Sequence, residues 1–243
     1  MKIPFVKPRE HPPEETVDRS LLFRNTDPRF NEQFKNFSAR FEYRVDMMNF
    51  KVIAITSSIA GEGKTVSTVN LATDLASTGR KRVLLVDVDL RKSDLAKGLR
   101  VLPRPGLAEY LGGSTNLQDI LRNSLVPGLY VIPGGMRINA PWSLIAGERF
   151  RAFLKENRDR YDLILLDTPP IIPVSDTLAI RDAVDGFVLV YRLGFTPHAM
   201  FRQTLEEIGE KKLLGVLLNG VEQPSEKYYQ RYYGKYYTKP EER

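Results

Sequence analysis

The stretch Ser57-Ser58-Ile59-Ala60-Gly61-Glu62-Gly63-Lys64-Thr65 follows the apolar run Val52-Ile53-Ala54-Ile55 and leads into a pattern of helical period. A glycine-containing turn between a strand and a helix aims several backbone N–H groups at one point, where the helix dipole adds positive potential. Lys64 is then placed to neutralise β- and γ-phosphates, and the Thr65 hydroxyl to ligate Mg²⁺. The stretch therefore predicts a phosphate-binding loop, with Ala60, Gly61, Glu62, Gly63, Lys64, Thr65 and Val66 around a nucleotide. The pattern Gly-x-x-x-x-Gly-Lys-Thr finds Ser58 at its first position, which closes the turn and does not cradle phosphate.

Outward from this loop the chain alternates short β-branched runs with longer helical patterns. The runs are Val52–Thr56, Val83–Asp87, Leu129–Ile132, Leu163–Asp167, Phe187–Tyr191 and Leu214–Leu218. Such alternation builds βαβ units into a doubly wound, mainly parallel α/β sheet with helices on both faces. The spacing predicts a helix from Lys64 to about Thr78, with Val69, Ala72, Leu75 and Ala76 inward and Gly79 at its end. Phe34, Phe37, Phe41 and Val45 recur at helical spacing before the first strand, so one more helix is expected between about Asn31 and Met48. Residues 1–28 carry Pro4, Pro8, Pro12, Pro13 and Pro28 among charges and read as an extended arm. The expected organisation is thus an arm (1–28), one α/β domain (29–221) and a flexible tail (222–243).

The absence of cysteine excludes disulfides, thiolate metal sites and cysteine nucleophiles, and the two histidines are His11, in the proline-rich arm, and His198. Any metal chemistry must use oxygen ligands, which favours Mg²⁺. A formal charge of +6 is of the kind that suits nucleic acid or an anionic membrane surface, but the basic residues are scattered among acids with no long Lys/Arg run, so an ordinary solvated surface is the stronger reading and no nucleic-acid partner is expected. With no apolar run near the roughly 18 to 20 residues that span a bilayer, and no signal-peptide core in Met1–Pro8, a cytoplasmic location is expected.

Two further strand ends carry acids. In Val83-Leu84-Leu85-Val86-Asp87-Val88-Asp89-Leu90-Arg91, Asp87 and Asp89 are two apart and share a side if the strand continues, towards the Lys64 site. In Leu163-Ile164-Leu165-Leu166-Asp167-Thr168-Pro169-Pro170, an apolar strand delivers Asp167 where it can bind Mg²⁺, and the prolines then force the chain out of the sheet. The other unusual feature is Tyr228-Tyr229-Gln230-Arg231-Tyr232-Tyr233-Gly234-Lys235-Tyr236-Tyr237, which places six of the eleven tyrosines in the last sixteen residues. Gly234 and the interleaved Lys227, Arg231 and Lys235 favour an exposed segment over a packed helix.

These blocks together resemble the bacterial tyrosine kinases (BY-kinases) of polysaccharide export, in their soluble form that works with a membrane-embedded co-polymerase. The likeness runs over roughly residues 50 to 237: the loop with Asn70-Leu71-Ala72 as Walker A, Val83–Arg91 as the extra Walker A′, Ile164–Pro170 as Walker B, Asn139–Ile145 as an Asn-Pro-x-Glu-Leu-Leu-like segment, and the tyrosine cluster. The related MinD and ParA ATPases carry a signature lysine where this chain has Ile59. Two departures stand out. Ala60 replaces the usual proline, and Glu32-Gln33-Phe34-Lys35-Asn36-Phe37-Ser38 replaces a Glu-x-x-Arg-x-x-Arg motif that supports ring assembly, losing a bidentate contact.

The resemblance implies an ATP- and Mg²⁺-dependent protein-tyrosine autokinase that phosphorylates Tyr228, Tyr229, Tyr232, Tyr233, Tyr236 and Tyr237 between subunits and regulates extracellular or capsular polysaccharide synthesis and export. It implies catalytic roles for Lys64, Asp87, Asp89 and Arg91, with Asp87 or Asp89 as base and Arg91 steadying the transferring group. Metal binding would fall to Thr65, Asp87 and Asp167, and an adenine contact to Asn219. Implied partners are a transmembrane co-polymerase subunit as activator, further copies of the chain in a homo-oligomer that is ring-shaped in the family, a cognate tyrosine phosphatase, and sugar-nucleotide enzymes as substrates. The implied site of action is the inner face of the cell membrane, reached through the partner. Alternatives are a MinD/ParA-like ATPase that switches dimerisation and membrane or DNA binding, and a non-catalytic nucleotide-binding scaffold for a co-polymerase.

Overall fold

The computed structural model describes residues 28–220, so the arm before Pro28 and the tyrosine cluster of the tail lie outside the described residues. Seven strands form one sheet: β1 (Val52–Ser57), β2 (Val83–Asp87), β3 (Arg122–Asn123), β4 (Leu129–Ile132), β5 (Leu163–Asp167), β6 (Gly186–Arg192) and β7 (Leu213–Asn219). Their order is β3-β4-β2-β5-β1-β6-β7, with every pairing parallel except the antiparallel β3. The helices are α1 (Pro28–Met47), α2 (Lys64–Ser77), α3 (Leu95–Leu99), α4 (Leu107–Leu111), α5 (Leu117–Ile120), α6 (Trp142–Ile145), α7 (Glu148–Asn157) and α8 (His198–Ile208).

The central strands are apolar on both faces because both faces are covered. Ile53, Ile55, Val83, Leu85, Leu163 and Leu165 pack into the core under α1 and α2. Their neighbours Val52, Ala54, Leu84, Val86, Ile164 and Leu166 enter the opposite core with Phe150 and Phe153 of α7. The six expected strands and the α2 helix are present; β3 was not foreseen, since two residues, one of them exposed, carry no periodic signal. α1 starts at Pro28, the last residue assigned to the arm, as suits a residue with its φ preset for a first helical turn. Its Phe41 and Val45 are buried against α2, and Glu42 and Asp46 bind Arg80 and Lys81 at the far end. Ser38 lies on this inward face, 2% exposed and with its hydroxyl unpaired, while Lys35 is exposed.

At the amino end of β1, Asp185 accepts the Lys51 and Val52 amides at 2.7 and 2.8 Å and a two-pronged contact from Arg158 of the α7 end at 2.8 and 3.0 Å. Burial opposes its charge, but the Arg158, Val52 and Lys51 hydrogen bonds outweigh burial and hold the carboxyl below the usual carboxylate range. Such a group stabilises the fold above its unfolded pKa and loses that contribution as pH falls through the lowered one. Asp185→Ala is therefore expected to destabilise the protein by about 3 kcal/mol in urea titrations near neutral pH, a loss that shrinks below roughly pH 4. A loss under about 0.5 kcal/mol would show that the clamp is not stabilising.

Candidate functional site

The chain leaves β1 and enters α2 through two left-handed glycines, Gly61 (φ +88°) and Gly63 (φ +90°). Gly63 caps α2, and a Cβ there would come within 2.4 Å of the Asn219 Nδ2, so only glycine fits. The first turn of α2 has no acidic side chain, which leaves its N–H groups and dipole suited to an anion. Asn219, the last residue of β7, donates its side-chain amide to the Glu62 carbonyl at 2.8 Å. Glu62 also carries a fully buried carboxylate that accepts the Ile59 amide at 2.7 Å, a role its position in a phosphate loop does not announce.

Strand order brings the acids to this point. β5 lies between β1 and β2, and the register sets Asp167 beside both Ile55 and Asp87. Lys64 Nζ lies 3.2 Å from Asp89 Oδ2, 3.9 Å from Asp167 Oδ1 and 3.4 Å from Thr65 Oγ1, and Thr68 Oγ1 is 3.3 Å from Asp167 Oδ1. Asp89 reaches Lys64 not along a continued strand, as the sequence suggested, but through a turn that begins after Asp87. In that turn Asp87 Oδ1 accepts the Asp89 amide at 3.1 Å and Oδ2 the Ser93 hydroxyl at 2.6 Å.

The acids outnumber the cation in a place nearly closed to water. Burial first, then the Asp167 charge, push the Asp87 carboxyl up to about 8, against the Ser93 hydrogen bond and the Lys64 charge. Burial likewise raises Asp167, although Lys64, Thr65 and Thr68 oppose it. For Lys64 burial acts downward, but Asp167, Asp89 and Asp87 together hold it above its ordinary value. A hard cation would relieve this excess, and the donors are all oxygens, as Mg²⁺ requires. Among the described residues no three acids or histidines form a metal cage.

Arg91 is already engaged: Nε and Nη2 bind Asp176 at 2.5 and 3.3 Å, and Nη1 binds the Asn139 carbonyl. These contacts fasten the Asn139–Ile145 segment, with the half-exposed Trp142 at the start of α6, to the turn Ser175–Ile180.

The profile of the family described as "AAA domain" matches residues 50–194, from the strand before the loop to the segment after β6. The tyrosine-protein kinase CpsD of Streptococcus agalactiae is 36% identical over 174 residues, covering 70% of this chain and 76% of that one. The chain belongs to the bacterial tyrosine kinases of capsule and exopolysaccharide systems. The tyrosine-protein kinase ptk of Acinetobacter johnsonii is 29% identical over 210 residues, and this kinase spans only 28% of that longer protein. Among solved structures, the BceF tyrosine kinase domain superposes with a TM-score of 0.71 at 31% identity, covering 79% of this chain and 77% of that one. The fold extends to the cell-division ATPase MinD of Pyrococcus furiosus, with a TM-score of 0.57 at 25% identity over 69% of each chain.

Within the kinase, sequence reasoning missed Thr68 and Ser93. Thr68 stands one helical turn after Lys64, a spacing that puts both on one side of α2, whereas Ser93 reaches Asp87 through an irregular turn with no periodicity. Because the Asp87 carboxyl is raised, its neutral form favours folding below the ordinary carboxylate range, and that contribution is lost as pH rises through about 8. Metal binding needs the ionised form. Uptake of Mg²⁺–ADP near pH 7 is thus expected to release about one proton, measured calorimetrically in buffers of different ionisation enthalpy, and almost none near pH 9. Equal release from Asp87→Asn would remove Asp87 from the metal site.

Proposed function

We propose that this kinase transfers the γ-phosphoryl group of ATP to Tyr228, Tyr229, Tyr232, Tyr233, Tyr236 and Tyr237 on a neighbouring copy, and so regulates synthesis and export of an extracellular or capsular polysaccharide. The observation that supports it most directly is the meeting of Lys64, at the start of α2, with carboxylates from the adjacent ends of β2 and β5. Phosphoryl transfer rests mainly on positioning and charge neutralisation, so few groups suffice. Lys64 and the Gly61–Thr65 amides hold the phosphates; Thr65, Asp87 and Asp167 would hold Mg²⁺ and its waters; Asp87 or Asp89 accepts the tyrosine proton. A bound Mg²⁺ would supply neutralisation of the phosphate charge. Asn219 has an amide oxygen left for a base contact once its nitrogen holds the loop. Arg91, with three donors engaged by Asp176 and the Asn139 carbonyl, is held at the wall of the site, from where it would steady the transferring group only by releasing one of these contacts.

No helix among the described residues is long and apolar enough to cross a membrane. From its kinship with polysaccharide-export kinases we infer that this chain acts at the inner face of the cell membrane through a transmembrane co-polymerase subunit that activates it. A cognate phosphatase reverses the modification, and sugar-nucleotide enzymes are further candidate substrates. Ile59, where MinD-type ATPases carry their signature lysine, favours the kinase over that alternative.

Incubation with γ-labelled ATP followed by phosphotyrosine mapping tests the reading. Label on the tail supports it, while free phosphate alone indicates an ATPase and neither product a scaffold. Lys64→Met and Asp87→Asn should each cut labelling on the order of a thousandfold in folded protein. Tail charge supplies a separate expectation. Residues 222–243 hold five basic and four acidic side chains, a net +1, and six phosphotyrosines would add about −9 to −12. Sixteen extended residues from Glu222 to Tyr237 reach roughly 50 Å, enough to enter a neighbour's site. Sedimentation should show weaker self-association after phosphorylation, absent in a six-Tyr→Phe variant; an unchanged oligomer would rule out this switch.

A further inference from the structure

From Arg192 to Met200 every residue but one is exposed. The exception is Thr196, whose hydroxyl donates to Oε1 of the fully buried Glu62. The same oxygen accepts the Arg192 amide at 3.3 Å, and Oε2 accepts the Ile59 amide at 2.7 Å. Among the described residues Glu62 has no ion pair. A carboxylate buried without a cation is held by the donors it keeps, so each of these hydrogen bonds fixes its position. A second set of contacts runs the same way. Arg192 Nη1 donates to the Gly61 carbonyl at 3.0 Å, its guanidinium lies 4.8 Å from the centre of the Phe195 ring, and that ring would sit 3.3 Å from a Cβ on Gly61.

Peptide geometry gives these contacts a direction. In a planar trans peptide the C=O of one residue and the N–H of the next point to opposite sides. Arg192 on the Gly61 carbonyl therefore turns the Glu62 N–H the other way, and Asn219 on the Glu62 carbonyl does the same for the Gly63 N–H. Two consecutive amides are thus oriented by residues that stand on the side away from them.

We propose that Thr196 and Arg192 are positioning residues of the phosphate loop, acting through Glu62 and the Gly61 carbonyl to preset the loop amides for a nucleotide's phosphates. This rests on the reading of Gly61–Thr65 as the phosphate cradle. The test compares nucleotide affinity, by calorimetric titration with ADP, and the ATP KM and kcat for tail labelling. Thr196→Val keeps the shape and removes the hydroxyl; it should weaken ADP binding and raise KM roughly tenfold, leave kcat within about twofold, and be rescued by Thr196→Ser. Should Thr196→Val fail to fold, Arg192→Ala, which changes an exposed side chain, is read against the same thresholds. Affinity within about twofold of the unaltered chain while Lys64→Met is strongly impaired would overturn the proposal and leave the cradle reading intact, and so would a Thr196→Ser variant as impaired as Thr196→Val. Unimpaired binding by Lys64→Met would overturn the cradle reading itself.

Discussion

One ammonium group, that of Lys64, faces Asp87, Asp89 and Asp167 in a site almost closed to water. Like charges 4 Å apart repel by about 4 kcal/mol at an effective dielectric near 20, so three ionised carboxylates and one lysine make an unfavourable set. The structure answers by raising Asp87 to about 8, and a bound cation would answer it by restoring balance. The arrangement depends on strand order. With β5 between β1 and β2, Asp167 is one strand spacing, about 4.8 Å, from the neighbours on either side. Had β2 paired with β1 directly, Asp87 and Asp167 would stand on opposite flanks of the loop strand and their coupling would fall.

β6 braces β1 at both ends. Below, Asp185 holds the Lys51 and Val52 amides; above, the Arg192–Thr196 connection grips Glu62 and Gly61. The strand that carries the phosphate loop is therefore fixed at its root and at its tip by flanks of the same neighbour. Rigidity there matters because a preset ring of amides loses little entropy and needs no reorganisation when an anion arrives.

Much of this was legible in the chain. Central strands buried on both faces must be continuous apolar runs, and an acid closing such a run stands out, so β1, β2 and β5 with Asp87 and Asp167 could be read directly. Partners distant in sequence could not. Asp176 takes Arg91 from 85 positions away, and Thr196 meets Glu62 across 134, neither within a repeating pattern. Asp89 shows the intermediate case: its proximity to Lys64 was correct, but a turn produces it, because β2 ends at Asp87 and the chain folds the Asp89 amide back onto the Asp87 carboxylate.

Because the same scaffold serves MinD, the architecture alone does not separate a kinase from a nucleotide switch. Individual side chains do. Ile59 offers no cation from the start of the loop, and its amide is already bound to Glu62, so the positive charge on the loop is concentrated at Lys64. On α1, Ser38 faces inward with its hydroxyl buried and unpaired. The arginine of the ring-assembly motif would have to bury a guanidinium at this place or displace α1 from α2, at a desolvation cost of several kcal/mol without a partner. Serine in that position is thus compatible with the close packing of α1 on the domain.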